Sequence, residues 1–217
     1  TFTHLRYLNL SRNSIYNLDS VGAPKDFSSN FKRLQRLDLS SNQLSEFPII
    51  LKHLKQLQVL RLIRNNIETI PADFCEEEDI RDNLQELTIN SNPLKEVPGN
   101  INLLKKLKIL GIAYTAVKDL PSSIVQMEDH LQQLNVVGNT LHEPSQVLAE
   151  RGVAAIIDYF VGQKDDNPQN KGEGSGAGAT PGNDALGQSH GAAADDEGAE
   201  GAGDGVDYEN FKNLIEQ

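Results

Sequence analysis

Large aliphatic residues recur in one fixed phrase along residues 1–160. The phrase is apolar, two variable, apolar, one variable, apolar, two variable, asparagine. Leu5, Leu8, Leu10 and Asn13 give the first copy, and Leu34, Leu37, Leu39 and Asn42 the second. Leu57, Leu60, Leu62 and Asn65 follow, then Leu84, Leu87, Ile89 and Asn92. The fifth copy has Leu107, Leu110 and Ile112 but Thr115 in place of asparagine, and the sixth has Leu131, Leu134, Val136 and Asn139. The copies start 29, 23, 27, 23 and 24 positions apart. The apolar-x-apolar core of each predicts a short strand with alternate side chains turned inward. A period of this length, repeated, predicts a solenoid in which stacked turns bury what one turn cannot.

The second half of each period is apolar in its own rhythm. Phe47-Pro48, Ile70-Pro71, Val97-Pro98 and Leu120-Pro121 share one phase, each followed by further apolar positions such as Leu51, Phe74, Ile101 and Ile124. With these residues the chain resembles the leucine-rich-repeat family, in its intracellular, Ras-group-type subclass with a Leu-Pro-x-x-(Leu/Ile) half. The resemblance implies an α/β fold class: a curved leucine-rich-repeat solenoid with short parallel strands on the concave face and an irregular or helical convex face. It also implies that the asparagine side chains bond neighbouring backbone as a ladder. Thr115 is expected to serve that ladder less well, leaving the fifth turn loose. Each proline is expected to open a short convex helix or 3₁₀ segment.

Four regions follow. Residues 1–143 hold six repeats. Residues 144–162 read as a C-terminal capping helix, with Ser145 as N-cap and Gly152 as a kink. Residues 163–205 are Gly/Ala-rich and acidic, a composition that predicts a disordered linker. Residues 206–217 place Tyr208, Phe211, Leu214 and Ile215 on one face of a short amphipathic helix. Residues 19–30 and 75–83 lengthen two convex halves and are expected to loop outward. The first copy lacks an N-terminal cap: Phe2 precedes Leu5 as Leu54 precedes Leu57. The chain therefore reads as a fragment of a protein with further repeats upstream.

Charge is unevenly distributed. The net charge is −11, yet residues 163–217 hold 12 acidic and 3 basic residues, leaving residues 1–162 near balance. An acidic tail disfavours nucleic acid and anionic membrane as partners. A single cysteine, Cys75, excludes an internal disulfide and points to a reducing, cytoplasmic location. Cys75 opens the acidic run Glu76, Glu77, Glu78 and Asp79, which should raise its thiol pKa. That run lacks the alternating oxygen ligands and turn glycine of a calcium loop. His4, His53, His130, His142 and His190 show no ligand spacing. The sequence thus offers no catalytic residues, no metal site and no cofactor, and the chain reads as a non-enzyme.

The third, fifth, seventh and eighth positions of each phrase face outward, and they map a candidate partner surface. Tyr7, Arg12, Arg36, Val59, Arg61, Ile63, Arg64, Glu86, Ile109 and Tyr114 stand out on it. Aromatic residues and arginine are enriched at interface hot spots. Arg12, Arg36, Arg61 and Arg64 would form a basic stripe suited to an acidic partner, or to the chain's own tail competing in cis. The expected function is a monomeric, non-catalytic protein–protein interaction module or scaffold in intracellular signalling. The alternatives are the recognition region of a larger repeat-containing kinase, GTPase or cyclase, and a structural component of a large assembly.

Overall fold

The computed structural model describes residues 2–19 and 28–165. Six three-residue strands form one parallel sheet in sequence order: β1 (Tyr7–Asn9), β2 (Arg36–Asp38), β3 (Val59–Arg61), β4 (Glu86–Thr88), β5 (Ile109–Gly111) and β6 (Gln133–Asn135). The register is strict. Leu8, Leu37, Leu60, Leu87, Leu110 and Leu134 lie abreast at the strand centres. From Leu37 to Leu134 these residues are buried, with the other apolar residues of each phrase, in one continuous core. The fold is a leucine-rich-repeat solenoid.

The convex side begins at the prolines. Pro48 leads into a 3₁₀ helix at Ile49–His53, Pro98 precedes one at Ile101–Leu103, and Pro121 leads into one at Ser122–Met127. Pro71 instead opens α1 (Ala72–Glu76), followed by α2 (Glu78–Asn83). The extra residues 75–83 therefore do not loop outward as the sequence suggested. Phe74, Cys75 and Ile80 turn into the core, and the rings of Phe47 and Phe74 lie 4.7 Å apart. Burying these side chains offsets the entropy of ordering the insertion. The expected loop of residues 19–30 lies largely outside the described residues.

Asparagines close the turns. Asn42 donates from Nδ2 to the carbonyls of Leu10 and Leu39, each at 2.9 Å, and its Oδ1 accepts the Ile15 amide at 3.1 Å. Asn65 and Asn92 repeat all three bonds one turn on. Thr115 interrupts the series. Its hydroxyl lies 3.0 Å from the Ile112 carbonyl, which closes its own turn but is too short to bridge to the turn before. Asn139 adapts: its Oδ1 takes the Thr115 amide at 2.7 Å. At the other end, Asn13 Nδ2 donates to Leu10 and Ser11, but its Oδ1 is buried without a partner. Leu5 and Leu8 are only half-buried there. Phe2 stacks on Phe31, and each carbonyl accepts the amide three residues on, so Phe2 stands to Leu5 as Phe31 stands to Leu34.

The far end differs from expectation in detail. Residues 144–162 do not hold one helix but two, α3 (Gln146–Ala149) and α4 (Val153–Asp165), separated by Gly152 at φ 103°. Ser145 makes no side-chain cap; its carbonyl accepts the Leu148 and Ala149 amides instead. Gln146 continues the ladder's work, donating to the Val136 carbonyl at 2.9 Å. Ile156, Ile157 and Phe160 are buried and α4 packs on the Ser122–Met127 turn. The acidic linker and the short helix expected over 163–205 and 206–217 fall, beyond residue 165, outside the described residues.

Candidate functional site

Alternation within each strand decides which side chains leave the core. Tyr7, Arg36, Val59, Glu86 and Ile109 begin successive strands and stand abreast in register. Arg61 ends β3, one step along the same face. Ile63 follows at the seventh position. Arg12, Arg64 and Tyr114 occupy the eighth, where the chain turns off the sheet with φ of 57°, 56° and 53°. All ten candidates thus share the sheet face. Tyr7 is 56% exposed and Tyr114 63%. Val59, Ile63 and Ile109 are half-buried.

Two open hollows mark this face. One, of about 580 Å³, is lined by Arg6, Tyr7, Arg36 and Val59, among others. The second, of about 880 Å³, is lined by Arg12, Ile63, Arg64 and Tyr114 over a floor of Ser40, Thr88 and Asn90. Asp38, Arg61 and Glu86 border both. Ile109 lines neither.

The ridge between the hollows changes the electrostatics read from sequence. Arg61 Nε donates to Glu86 Oε1 at 2.8 Å. That bond holds the Arg61 guanidinium above its ordinary pKa against partial burial, with Glu86 and Asp38 charges adding to it. Arg61 is therefore engaged, and the basic stripe is interrupted at its centre. The other ion pairs, Lys52–Asp73, Lys95–Glu68 and Lys105–Asp82, join neighbouring turns. Among the described residues Arg12, Arg36 and Arg64 make no ion pair, so their charge is open to a partner.

Two glycines shape the C-terminal half of the face, and the sequence reading passed over them. A Cβ at Gly111 would lie 2.9 Å from Asn90 Oδ1, and Asn90 uses that space to accept the Ala113 amide at 2.8 Å. A Cβ at Gly138 would lie 2.4 Å from the ring of Tyr114. The signal was present in the phrase: glycine stands at the fifth position of the fifth copy and the eighth of the sixth. For a non-glycine residue the left-handed conformation costs on the order of 1–2 kcal/mol, and five such residues, Arg12, Ser41, Arg64, Ser91 and Tyr114, hold it here. Their amides are fixed by bonds of 2.6–2.9 Å to the next turn's carbonyls.

Elsewhere the chemistry is quiet. Cys75 is buried, and burial first, then Glu76 and Asp73, pushes its thiol up to about 12. The acidic run named in the sequence is thus the lesser cause. His130 Nε2 is buried without a hydrogen-bond partner. Among the described residues no group of three or more His, Cys, Asp or Glu could hold a metal, and no helix is long and apolar enough to cross a membrane.

Comparison with known proteins agrees with the fold. The family model described as "Leucine Rich repeats (2 copies)" matches residues 32–74, and "Leucine Rich Repeat" matches residues 4–30. The probable serine/threonine-protein kinase roco6 of Dictyostelium discoideum is 38% identical over 73 residues, covering 32% of this chain and 3% of the kinase. Among solved structures, an internalin (inlF) from Listeria monocytogenes aligns with TM-score 0.53 at 20% identity, over 66% of this chain and 37% of that one. The leucine-rich-repeat protein LIC12759 of Leptospira interrogans aligns at 0.50 and 26%, over 69% and 41%. PEPR1 in its complex with AtPEP1 aligns at 0.51 and 28%, over 64% and 19%. The chain spans a small part of the curated relative and less than half of each of these structures. It carries a leucine-rich-repeat domain, a protein-interaction fold.

Proposed function

We propose that this solenoid is a non-catalytic recognition module that binds an acidic protein partner on its sheet face, in intracellular signalling. The observation that carries the reading is the set of three arginines that make no ion pair among the described residues, Arg12, Arg36 and Arg64, beside exposed Tyr7 and Tyr114 on one face. Exposed aromatics and unpaired arginines are the residue types that anchor interfaces, and their net charge favours a partner of opposite sign. The similarity to PEPR1, solved with AtPEP1 bound, supports a binding role. The halves at Phe47-Pro48, Ile70-Pro71, Val97-Pro98 and Leu120-Pro121 support the Ras-group-type subclass. The lone buried thiol fits a reducing cytoplasm.

The test is affinity purification with wild type, with an Arg64→Ala/Tyr114→Ala variant, and with a Lys52→Ala/Lys95→Ala variant away from the sheet face. A partner kept by the lysine variant and lost by the face variant is the expected result. Equal recovery with all three overturns the reading. Deleting residues 166–217, which leaves α4 whole, should raise partner affinity if the acidic tail competes in cis.

The 38% identity to a stretch of a Roco-type kinase favours a second reading, in which the module is the recognition region of a larger enzyme. The complete reading frame decides it: a catalytic domain beside the repeats is the expected finding, and its absence excludes this reading.

A further inference from the structure

We propose that the eighth-position row reads an acidic partner segment in the polyproline II conformation, with two carboxylates three residues apart and an apolar side chain three residues beyond them. This rests on the sheet face being the binding surface, and it names the occupant's chemistry.

The row runs Arg12, Ser41, Arg64, Ser91, Tyr114, Gly138, one residue per turn. Large and small alternate through all six. All six hold positive φ, between 53° and 73°. The first five amides bond to the next turn in series, to Ser40, Ile63, Asn90, Ala113 and Val137. The row is therefore regular, with the strand spacing of roughly 4.8 Å. Arg12, Arg64 and Tyr114 then stand about 10 Å apart, each separated by a small residue that leaves room beside it. The second hollow is lined by all three, together with Ser41 and Ser91.

Charge decides what the two arginines can take. Arg61, within the same hollow, is held by Glu86. Arg12 and Arg64 hold no carboxylate among the described residues, and both are exposed. Tyr114 is exposed on one side while its ring rests against Gly138 on the other, which fixes a flat apolar surface at the row's far end.

Spacing decides the ligand's shape. In a β-strand the residues that share a side are i, i+2 and i+4, roughly 6.7 and 13 Å apart, and neither interval matches the row's spacing of about 10 Å. A polyproline II segment has three residues per turn and a rise of about 3.1 Å, so i, i+3 and i+6 share one side at roughly 9 Å intervals. That matches the arginine, arginine, tyrosine spacing. Its backbone also keeps its own groups solvated, so it can cross the strands without pairing to them. The chain's own tail has two acidic pairs at this separation, Glu197/Glu200 and Asp204/Asp207, but in neither direction does an aromatic or branched apolar residue follow at the needed place: Gly203 and Asn210 stand there one way, Ala194 and Gly201 the other. The occupant is accordingly a segment of another protein.

The test is selection of twelve-residue peptides from a displayed random library on the whole chain, with counter-selection on Arg12→Ala/Arg64→Ala. The expected winners carry Asp or Glu at i and i+3 and an aromatic or branched apolar residue at i+6. Fluorescence anisotropy of a winning peptide should show about tenfold weaker binding for each single arginine variant, since a charge-assisted bond is lost. Tyr114→Ala should weaken binding comparably. The arginine side chains are exposed, so those variants should melt with wild type, and thermal unfolding checks that they do. Winners without the acidic spacing, but lost in the arginine variant, overturn this proposal and leave the sheet face standing. No enrichment over the variant, or winners lost only on Lys52→Ala/Lys95→Ala, overturns both.

Discussion

Tyr114 and Gly138 are fitted to one another across adjacent turns of the solenoid. A methyl group at position 138 would stand 2.4 Å from Tyr114 Cδ1 and 2.5 Å from Cε1, where no carbon can remain. Gly138 also holds φ 73°. Gly138→Ala should therefore destabilise the chain by about 1–2 kcal/mol and displace the ring. In a Tyr114→Ala background the clash is gone and only the backbone penalty remains, so the same substitution should cost about 1 kcal/mol less. Urea unfolding of the four proteins of that cycle measures the difference.

The ladder predicts an unequal cost for chemically identical substitutions. Asn65 makes two buried bonds to carbonyls and accepts one amide. Asn65→Ala should cost about 3 kcal/mol, at roughly 1 kcal/mol per bond. Asn13 makes its carbonyl bonds but accepts nothing at Oδ1. Asn13→Ala should cost about 1 kcal/mol less than Asn65→Ala in the same unfolding assay.

The buried thiol gives a pH dependence with a definite sign. Cys75 is pushed from 9.0 to about 12. Between those values the unfolded chain gives up its thiol proton while the folded chain keeps it. The contribution to stability is thus intact below pH 9 and falls as pH rises towards 12, by up to about 1.4 kcal/mol per pH unit. Cys75→Ala should lower stability overall but remove that part of the alkaline slope. At pH 8 the native thiol should be unreactive towards a disulfide reagent and react on unfolding.

The Arg61–Glu86 pair should matter more to recognition than to folding. Arg61 is nearly half exposed, so solvent screens the bond, and Glu86→Gln should cost under about 1 kcal/mol. The same change releases the guanidinium into both hollows. Binding of an acidic ligand should therefore tighten in Glu86→Gln, by an amount that shrinks with added salt. Titration at two salt concentrations checks both statements.

Much of this molecule is local and periodic, and that part was legible in the chain. The strand centres, the outward positions and the rungs Asn42, Asn65 and Asn92 all follow from which residue types stand at fixed intervals. The candidate face was legible for the same reason, since period-two alternation sends third and fifth positions to one side.

What the spacing did not contain was the pairing of side chains across turns. Arg61 and Glu86 are 25 residues apart, and only the sheet register sets their charges 2.8 Å from each other and breaks the basic stripe. Tyr114 finds its seat because residue 138, one turn on, lacks a side chain. The insertion at 75–83 folds inward because Cys75 and Ile80 find a core made by other turns. Sequence periodicity fixes the repeating backbone through short-range sterics and amphipathicity. Which charges are spent, which are open, and where a ring can lie depend on neighbours that the stacked turns alone bring within reach.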